Sequence, residues 1–280
     1  MPWHASLRLH YRRDDEATRA HSEHVGPLRV LKALYPEGAG ICHHTVLHPP
    51  SGVVGGDTLD VGLTLEANAH AVLTTPGASR FYRCDGDAQA TQNVSATLQA
   101  GARLEWLPQE NIAYSGTRMC NQQRFSLAPG AEMMGCDLLA LGLPASSQAF
   151  VAGSVAQRIE LTGLWLERSR IDAGDRLLMH SALGLAGRTA MATLWWAAGS
   201  TLAAARVATA LESARALLPV GQGGDEAVRV GVSQVHPQVL VLRALAHQTE
   251  PLTMLVRAVH AAWRTSLWDV AADPPRVWAT

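Results

Sequence analysis

The sequence predicts a mainly β protein: strands stacked in solenoid-like sheets, with a few appended helices that fall mostly in the last third. Three observations carry the expectation. From about residue 40 to about residue 170, apolar residues come in short runs broken by Gly, Pro, Asn and Asp, as strands joined by turns require. Within that stretch Leu59, Val61, Leu63 and Leu65 alternate with Thr58, Asp60, Gly62 and Thr64, a period of two that buries one face of a strand. The third observation is an imperfect internal repeat. Leu65-Glu66-Ala67-Asn68-Ala69 leads into Ala71-Val72-Leu73-Thr74-Thr75-Pro76. Leu98-Gln99-Ala100-Gly101-Ala102 leads into Leu104-Glu105-Trp106-Leu107-Pro108-Gln109-Glu110. Leu127-Ala128-Pro129-Gly130-Ala131 leads into Met133-Met134-Gly135-Cys136-Asp137-Leu138.

Each unit is a turn and then a strand. Asn68, Gly101 and Gly130 take the fourth place of their turns, where a left-handed backbone is tolerated. Units about thirty residues apart suit successive solenoid layers, although three imperfect copies also fit ordinary hairpins. Aligning the alanines that close the turns sets Thr75, Pro108 and Asp137 above one another, with Gln109 and Glu110 alongside. Polar groups then gather at one end of an otherwise apolar stack.

The remaining elements follow in chain order. Residues 189–205 are an uncharged run between Arg188 and Arg206. The run falls short of the roughly 20 strongly apolar residues that span a membrane. Gly199 and Ser200 dilute it further, so a buried strand entering a helix is expected. Residues 201–218 are Ala- and Leu-rich, with Glu212 between Arg206 and Arg215 at helical spacing, and stop before Pro219. Residues 228–232 read as a strand, and 237–246 are ambiguous. Thr249 ahead of Pro251 opens a further helix through Met254, Val256, Val259 and Trp263. Residues 274–280 read as extended. The expected organisation is one domain, a β-rich body over about 1–200 and a helix-containing part over about 201–280.

The chain has 280 residues, 48% of them hydrophobic, and a formal net charge of -1. That supplies a substantial core. The neutral balance argues against nucleic-acid binding, which needs a concentrated basic excess. No basic segment followed by an apolar run opens the chain, and Cys42, Cys84, Cys120 and Cys136 are widely spaced. Both features favour a soluble cytoplasmic protein with reduced thiols.

Catalytic signatures are missing. Residues 52–57 are glycine-rich but lack the Gly-Lys-Ser/Thr ending that meets phosphates. There is no Gly-x-Ser-x-Gly elbow, His-Glu-x-x-His or Cys-x-x-Cys, so the chain reads as a non-enzyme. The richest metal-capable cluster is Cys42-His43-His44 with His48. Thiolate and imidazole suit nickel and zinc, and on a strand Cys42, His44 and His48 share a face while His43 points away. Three donors fall short of the about four that a tight site holds. A transient contact is expected, unless these histidines merely satisfy backbone groups beside Pro49-Pro50. Glu105 shares a strand face with Leu107, and a carboxylate buried there needs a partner or a cation. Asp85 and Asp87 flank Gly86 in a polar surface turn after Arg80-Phe81-Tyr82-Arg83.

Three blocks resemble those of the urease accessory protein family UreD (UreH). His48-Pro49-Pro50-Ser51-Gly52-Val53-Val54-Gly55-Gly56-Asp57 is similar to its His-Pro-Pro-Gly-Gly-x-x-Gly-Gly-Asp signature. Leu73-Thr74-Thr75-Pro76-Gly77-Ala78-Ser79-Arg80-Phe81-Tyr82-Arg83 is similar to its Thr-Thr-Pro-Gly-Ala-x-Lys-Phe-Tyr-Arg block. Leu104 to Glu110 matches its Leu-Glu-Trp-Leu-Pro-Gln-Glu block without change. Weaker blocks at Glu167-Arg168 and Gly184-Leu185-Ala186-Gly187, and the final residues, extend the resemblance over nearly the whole chain. Ser51 replaces a family glycine and Arg80 a lysine. Leu143 and Gln148 stand where the family more often carries charge.

The resemblance implies stacked β-sheets with appended helices in a cytoplasmic maturation scaffold. It implies direct binding to UreF and to apo-urease, contact with the GTPase UreG through UreF, and a dimeric assembly of these partners. Nickel would be transient cargo in an internal tunnel, with no tightly bound cofactor. Thr75, Glu105, Gln109, Glu110 and Asp137 are the candidate path, and Cys42, His44 and His48 the candidate metal contacts. The alternatives are a metal-dependent hydrolase using Cys42, His44 and His48, or a β-rich binding module unrelated to urease.

Overall fold

The computed structural model describes residues 2–219, 228–271 and 273–279. The chain begins with β1 (His4–Asp14), β2 (Ala17–Val25), β3 (Arg29–Val30), β4 (Ile41–Leu47), β5 (Gly52–Val53) and β6 (Thr58–Leu65). It continues with β7 (His70–Thr74), β8 (Ser79–Phe81), β9 (Ala90–Leu98), β10 (Arg103–Leu107), β11 (Asn111–Ala113) and β12 (Arg118–Leu127). Then come β13 (Glu132–Leu143), β14 (Gln148–Ala149), β15 (Ser154–Leu161), β16 (Trp165–Asp172) and the short α1 (Arg176–His180). The last part holds β17 (Ala190–Ala198), α2 (Ala204–Arg215), β18 (Arg229–His236), β19 (Val239–Ala246) and α3 (Thr249–Trp268).

The repeat is a coil. From β4 onward the chain alternates between two sheets. β4, β7, β10 and β13 lie side by side in parallel in a twelve-stranded sheet. β6, β9, β12 and β15 do the same in a seven-stranded sheet. The turns between them place Asn68, Gly101 and Gly130 at φ 62°, 70° and 79°, the left-handed region expected of those positions. Antiparallel partners finish both sheets. β2 and β16 flank the smaller one, and β17, β19 and β18 extend the larger one.

Alternation converts directly into burial. In β6, Leu59, Val61, Leu63 and Leu65 are buried and their neighbours are not. Such inward residues fill a core between the sheets, with Leu7, Leu104, Trp106, Phe125 and Trp195, each large side chain contributing about 1.5–3 kcal/mol. The larger sheet has a second buried face. Met134, Leu138, Leu194, Trp196 and Leu240 pack there against Val207, Leu252, Val259 and Trp263 of α2 and α3. Both faces being covered explains why β13 and β17 read as nearly unbroken apolar runs.

Residues 189–205 behave as expected, a buried strand leading to a helix, and the ambiguous 237–246 become β19. Two expectations need correction. Residues 276–279 form a short 3₁₀ turn rather than an extended end, because Trp278 N–H bonds back to the Pro275 carbonyl and its indole docks on Thr74; residue 280 lies outside the described residues. Thr75, Pro108 and Asp137 do align, since the ladder pairs Arg103 with both His70 and Glu132. They lie inside the stack rather than at its end, because β13 continues beyond Asp137 and pairs with β11.

Candidate functional site

The sheet is cut at one level. β4 ends at Leu47 and β5 resumes at Gly52; β7 ends at Thr74 and β8 resumes at Ser79; β10 ends at Leu107 and β11 resumes at Asn111. β13 runs past unbroken, pairing first with β10 and then with β11. The three gaps hold Pro49, Pro50, Pro76 and Pro108, and proline cannot donate to a ladder. Gaps at one level, each holding proline, thus open a slit across three neighbouring layers. Beneath it lies a cavity of about 330 Å3 whose lining includes His48, Thr75, Gln92, Trp106, Pro108 and Asn111.

The motif residues build this slit. Thr75 Oγ1 accepts the Gln109 N–H at 2.9 Å and donates to the Gly77 carbonyl at 3.0 Å. Thr74 Oγ1 donates to the Leu107 carbonyl at 2.6 Å. Gly52 passes so close to Tyr82 that a Cβ would stand 2.0 Å from its ring. The buried Asp57 carboxylate accepts the N–H groups of Trp3 and Val54 at 2.8 and 3.0 Å, so its work is to hold the turn. Ser51 sits at φ 58°, a conformation that glycine adopts freely and serine does not.

Behind the cavity, polar groups continue between the sheets. The register of the smaller sheet sets Gln92, Asn121, Gln157 and Ser169 in one row across β9, β12, β15 and β16. Asp137 reaches into that row from the larger sheet. Its carboxylate accepts from the amides of Asn121 at 2.9 Å, Gln123 at 2.8 Å and Gln157 at 2.5 Å. Gln92 meets Asn121 at 3.5 Å, Trp106 donates to Gln123 at 3.0 Å, and Ser169 reaches Gln157 at 3.4 Å. A second cavity of about 50 Å3 follows, lined by Asp137, Gln157, Glu167, Ser169 and Thr193. Burial pushes the Asp137 carboxyl up to about 6, the three amides drawing it back only in part.

Glu105 belongs elsewhere. It sits on the opposite face of the larger sheet, under α3. Its carboxylate takes His70 Nε2 at 2.8 Å, His260 Nε2 at 2.7 Å and Arg264 Nε at 3.0 Å. Arg264 also grips Glu37 with both terminal nitrogens, and Glu37 takes His43 at 2.7 Å. Burial raises Glu105, but the His260 and His70 contacts outweigh it and hold the carboxyl well below its ordinary value. A carboxylate held by one guanidinium and two imidazoles at α3 is a clamp between helix and sheet. Gln109 also turns toward α3, its Oε1 taking Arg257 at 3.3 Å, and Glu110 faces the same guanidinium electrostatically.

Cys42 and His44 point between the sheets, as the strand period requires, and His43 the other way. Burial raises the Cys42 thiol to about 11 and lowers His44 to about 4, and His44 Nδ1 is engaged by the Tyr11 hydroxyl at 2.8 Å. His48 lies apart, on the lining of the larger cavity. Among the described residues, no group of three or more His, Cys, Asp or Glu side chains is arranged to hold a metal ion. So of the sequence-picked residues, Thr75 and His48 line the larger cavity and Asp137 the smaller one, while Glu105, Gln109 and Glu110 face α3. Gln92, Asn121, Gln123, Gln157 and Glu167 were missed. Their signal was present: each amide takes an inward place in an alternating strand, where an apolar residue would otherwise stand.

Fold and site together define a class, the helix-capped two-sheet β-solenoids with a buried amide row beneath a proline-lined slit. Comparison with known proteins narrows it. The family model described as UreD urease accessory protein matches residues 4–279. The chain is 51% identical to the urease accessory protein UreD of Leptothrix cholodnii over 284 residues, covering 100% of both. It is 50% identical to that of Verminephrobacter eiseniae over 281 residues and to that of Paracidovorax citrulli over 279, again covering 100% of each. The chain belongs to the UreD family of urease accessory proteins. Among the described residues no helix is long and apolar enough to cross a membrane.

Proposed function

We propose that this chain is a cytoplasmic, non-catalytic maturation scaffold that links apo-urease to UreF, and through UreF to the GTPase UreG, in a dimeric assembly. In that assembly nickel moves as cargo from the proline-lined slit along the Gln92–Asn121–Asp137–Gln157 row toward Glu167. The single observation that carries this reading is the row itself. Burying amides in an apolar interior is costly, and a core could be filled more stably without them. Neutral amide and hydroxyl oxygens are weak ligands for a divalent ion, so a row of them lets an ion pass without trapping it. Asp137 supplies one charge midway, and its raised pKa makes it exchange a proton for a cation near neutral pH.

The test is expression of the urease genes with and without this chain, reading nickel content and activity of the purified urease, together with capture of UreF by the chain. Loss of both nickel and activity without the chain, and capture of UreF with it, are expected. Equal nickel and activity in both preparations overturn the proposal.

A further inference from the structure

The outer face of the smaller sheet carries arginines that its own carboxylates do not balance. On the antiparallel pair β15–β16, Arg158 stands directly opposite Arg168, and Arg170 lies two residues further along the same face of β16. Like charges directly opposite each other destabilise a sheet. Three arginines elsewhere meet acids, Arg206 with Glu132, Arg243 with Glu167 and Arg264 with Glu37, while others such as Arg8 and Arg80 stand exposed without one among the described residues. Glu160 and Asp172 share this face: Glu160 is divided between Arg124 at 3.1 Å and Arg158 at 2.7 Å, and Asp172, two residues beyond Arg170 at the end of β16, pairs with none of the arginines among the described residues. Arg168 and Arg170 are exposed, and among the described residues no carboxylate is paired with either. Ala156, opposite Arg170, is small, and the arginines rim a shallow depression of about 420 Å3. Leu166 stands on the same face, 49% exposed.

We propose that this face docks a carboxylate-rich strip on a protein partner, bound through Arg158, Arg168 and Arg170 with Leu166 as its apolar contact. Guanidinium groups match carboxylates in planar, bidentate pairs, and the partner's acids would offset the repulsion that the free chain sustains. Protein fits better than nucleic acid. The face holds no aromatic ring to stack a base, and the chain as a whole carries a formal charge of -1. Arginines on the edge strand β16 also discourage sheet-to-sheet association, but Arg158 lies one strand inward and needs another reason. The partner's identity rests on the scaffold reading above; the charge on this face does not.

The experiment compares the wild-type chain with the triple variant Arg158→Glu, Arg168→Glu, Arg170→Glu, which keeps the edge charged but inverts its sign. Binding is measured against purified apo-urease, UreF, a twenty-residue polyglutamate peptide and a twenty-nucleotide RNA, at low and high salt, with thermal melting as the folding control. The expected result is at least a tenfold loss of affinity for either apo-urease or UreF, a flattened salt dependence, loss of polyglutamate binding and an unchanged melting curve. Wild-type affinity of a folded triple variant for both proteins overturns the proposal, as does RNA bound by the wild type more tightly than polyglutamate. If the wild type binds neither protein, the scaffold reading fails. The polyglutamate arm then decides this face, wild-type capture lost in the variant supporting it and no capture overturning it.

Discussion

Glu105 and Asp137 occupy opposite faces of one sheet, Glu105 closed in by His70, His260 and Arg264 beneath α3, Asp137 by Asn121, Gln123 and Gln157 between the sheets. The strand period enforces the separation. β10 and β13 are in register at Glu105 and Met134, and Asp137 lies an odd number of residues beyond Met134, so it points the other way. The two carboxylates therefore do different work. One is fixed by a guanidinium and two imidazoles and holds a helix; the other is held by neutral amides and stays free to titrate.

Glu105→Ala should be mainly a stability defect. It leaves His70 and His260 buried without their carboxylate and Arg264 with Glu37 alone, which costs about 3 kcal/mol. A urea titration should show a markedly lower midpoint; a midpoint equal to wild type would refute the clamp. Because Glu105 is held low, its contribution is present at neutral pH and is lost as pH falls through its folded-state pKa.

Asp137 has the opposite sign. Its folded value of about 6 lies above the ordinary carboxyl, so between roughly pH 4 and 6 the folded chain holds the extra proton and stability falls as pH rises. Asp137→Asn should flatten that slope. Midpoints collected from pH 4 to 7 check it, and parallel slopes for the two proteins would mean that Asp137 does not titrate there.

Ser51→Gly should stabilise the chain by about 1 kcal/mol, since serine at φ 58° bears strain that glycine does not. Thermal melting reads the gain. A lower melting temperature would show that the serine side chain contributes more than its backbone costs.

Gly52→Ala tests the packing of the slit. With a Cβ 2.0 Å from the Tyr82 ring, the ring or the strand must move, at about 1–3 kcal/mol. Unchanged stability would mean that the ring yields freely.

The sequence made the layers legible because local chemistry sets them: Asn68, Gly101 and Gly130 mark the turns, and alternation marks the buried faces. The register followed from the same turns, which is why Thr75, Pro108 and Asp137 could be aligned. The side of the sheet on which Glu105 lies was hidden, because both faces of β10 are covered and neither is polar in pattern. The amide row was legible strand by strand but not as a row, since only long-range pairing brings Gln92, Asn121 and Gln157 together. The clamp joins Glu37, Glu105 and Arg264 across most of the chain, and no local spacing signals it.

The central claim, that the amide row carries nickel, is met most directly by the double variant Asn121→Leu, Gln157→Leu, co-expressed with the urease genes after its fold and UreF capture have been verified. The nickel content of the purified urease is the readout. A loss of at least several-fold relative to wild type is expected, with UreF still bound. Wild-type nickel in urease matured by this folded variant would contradict it.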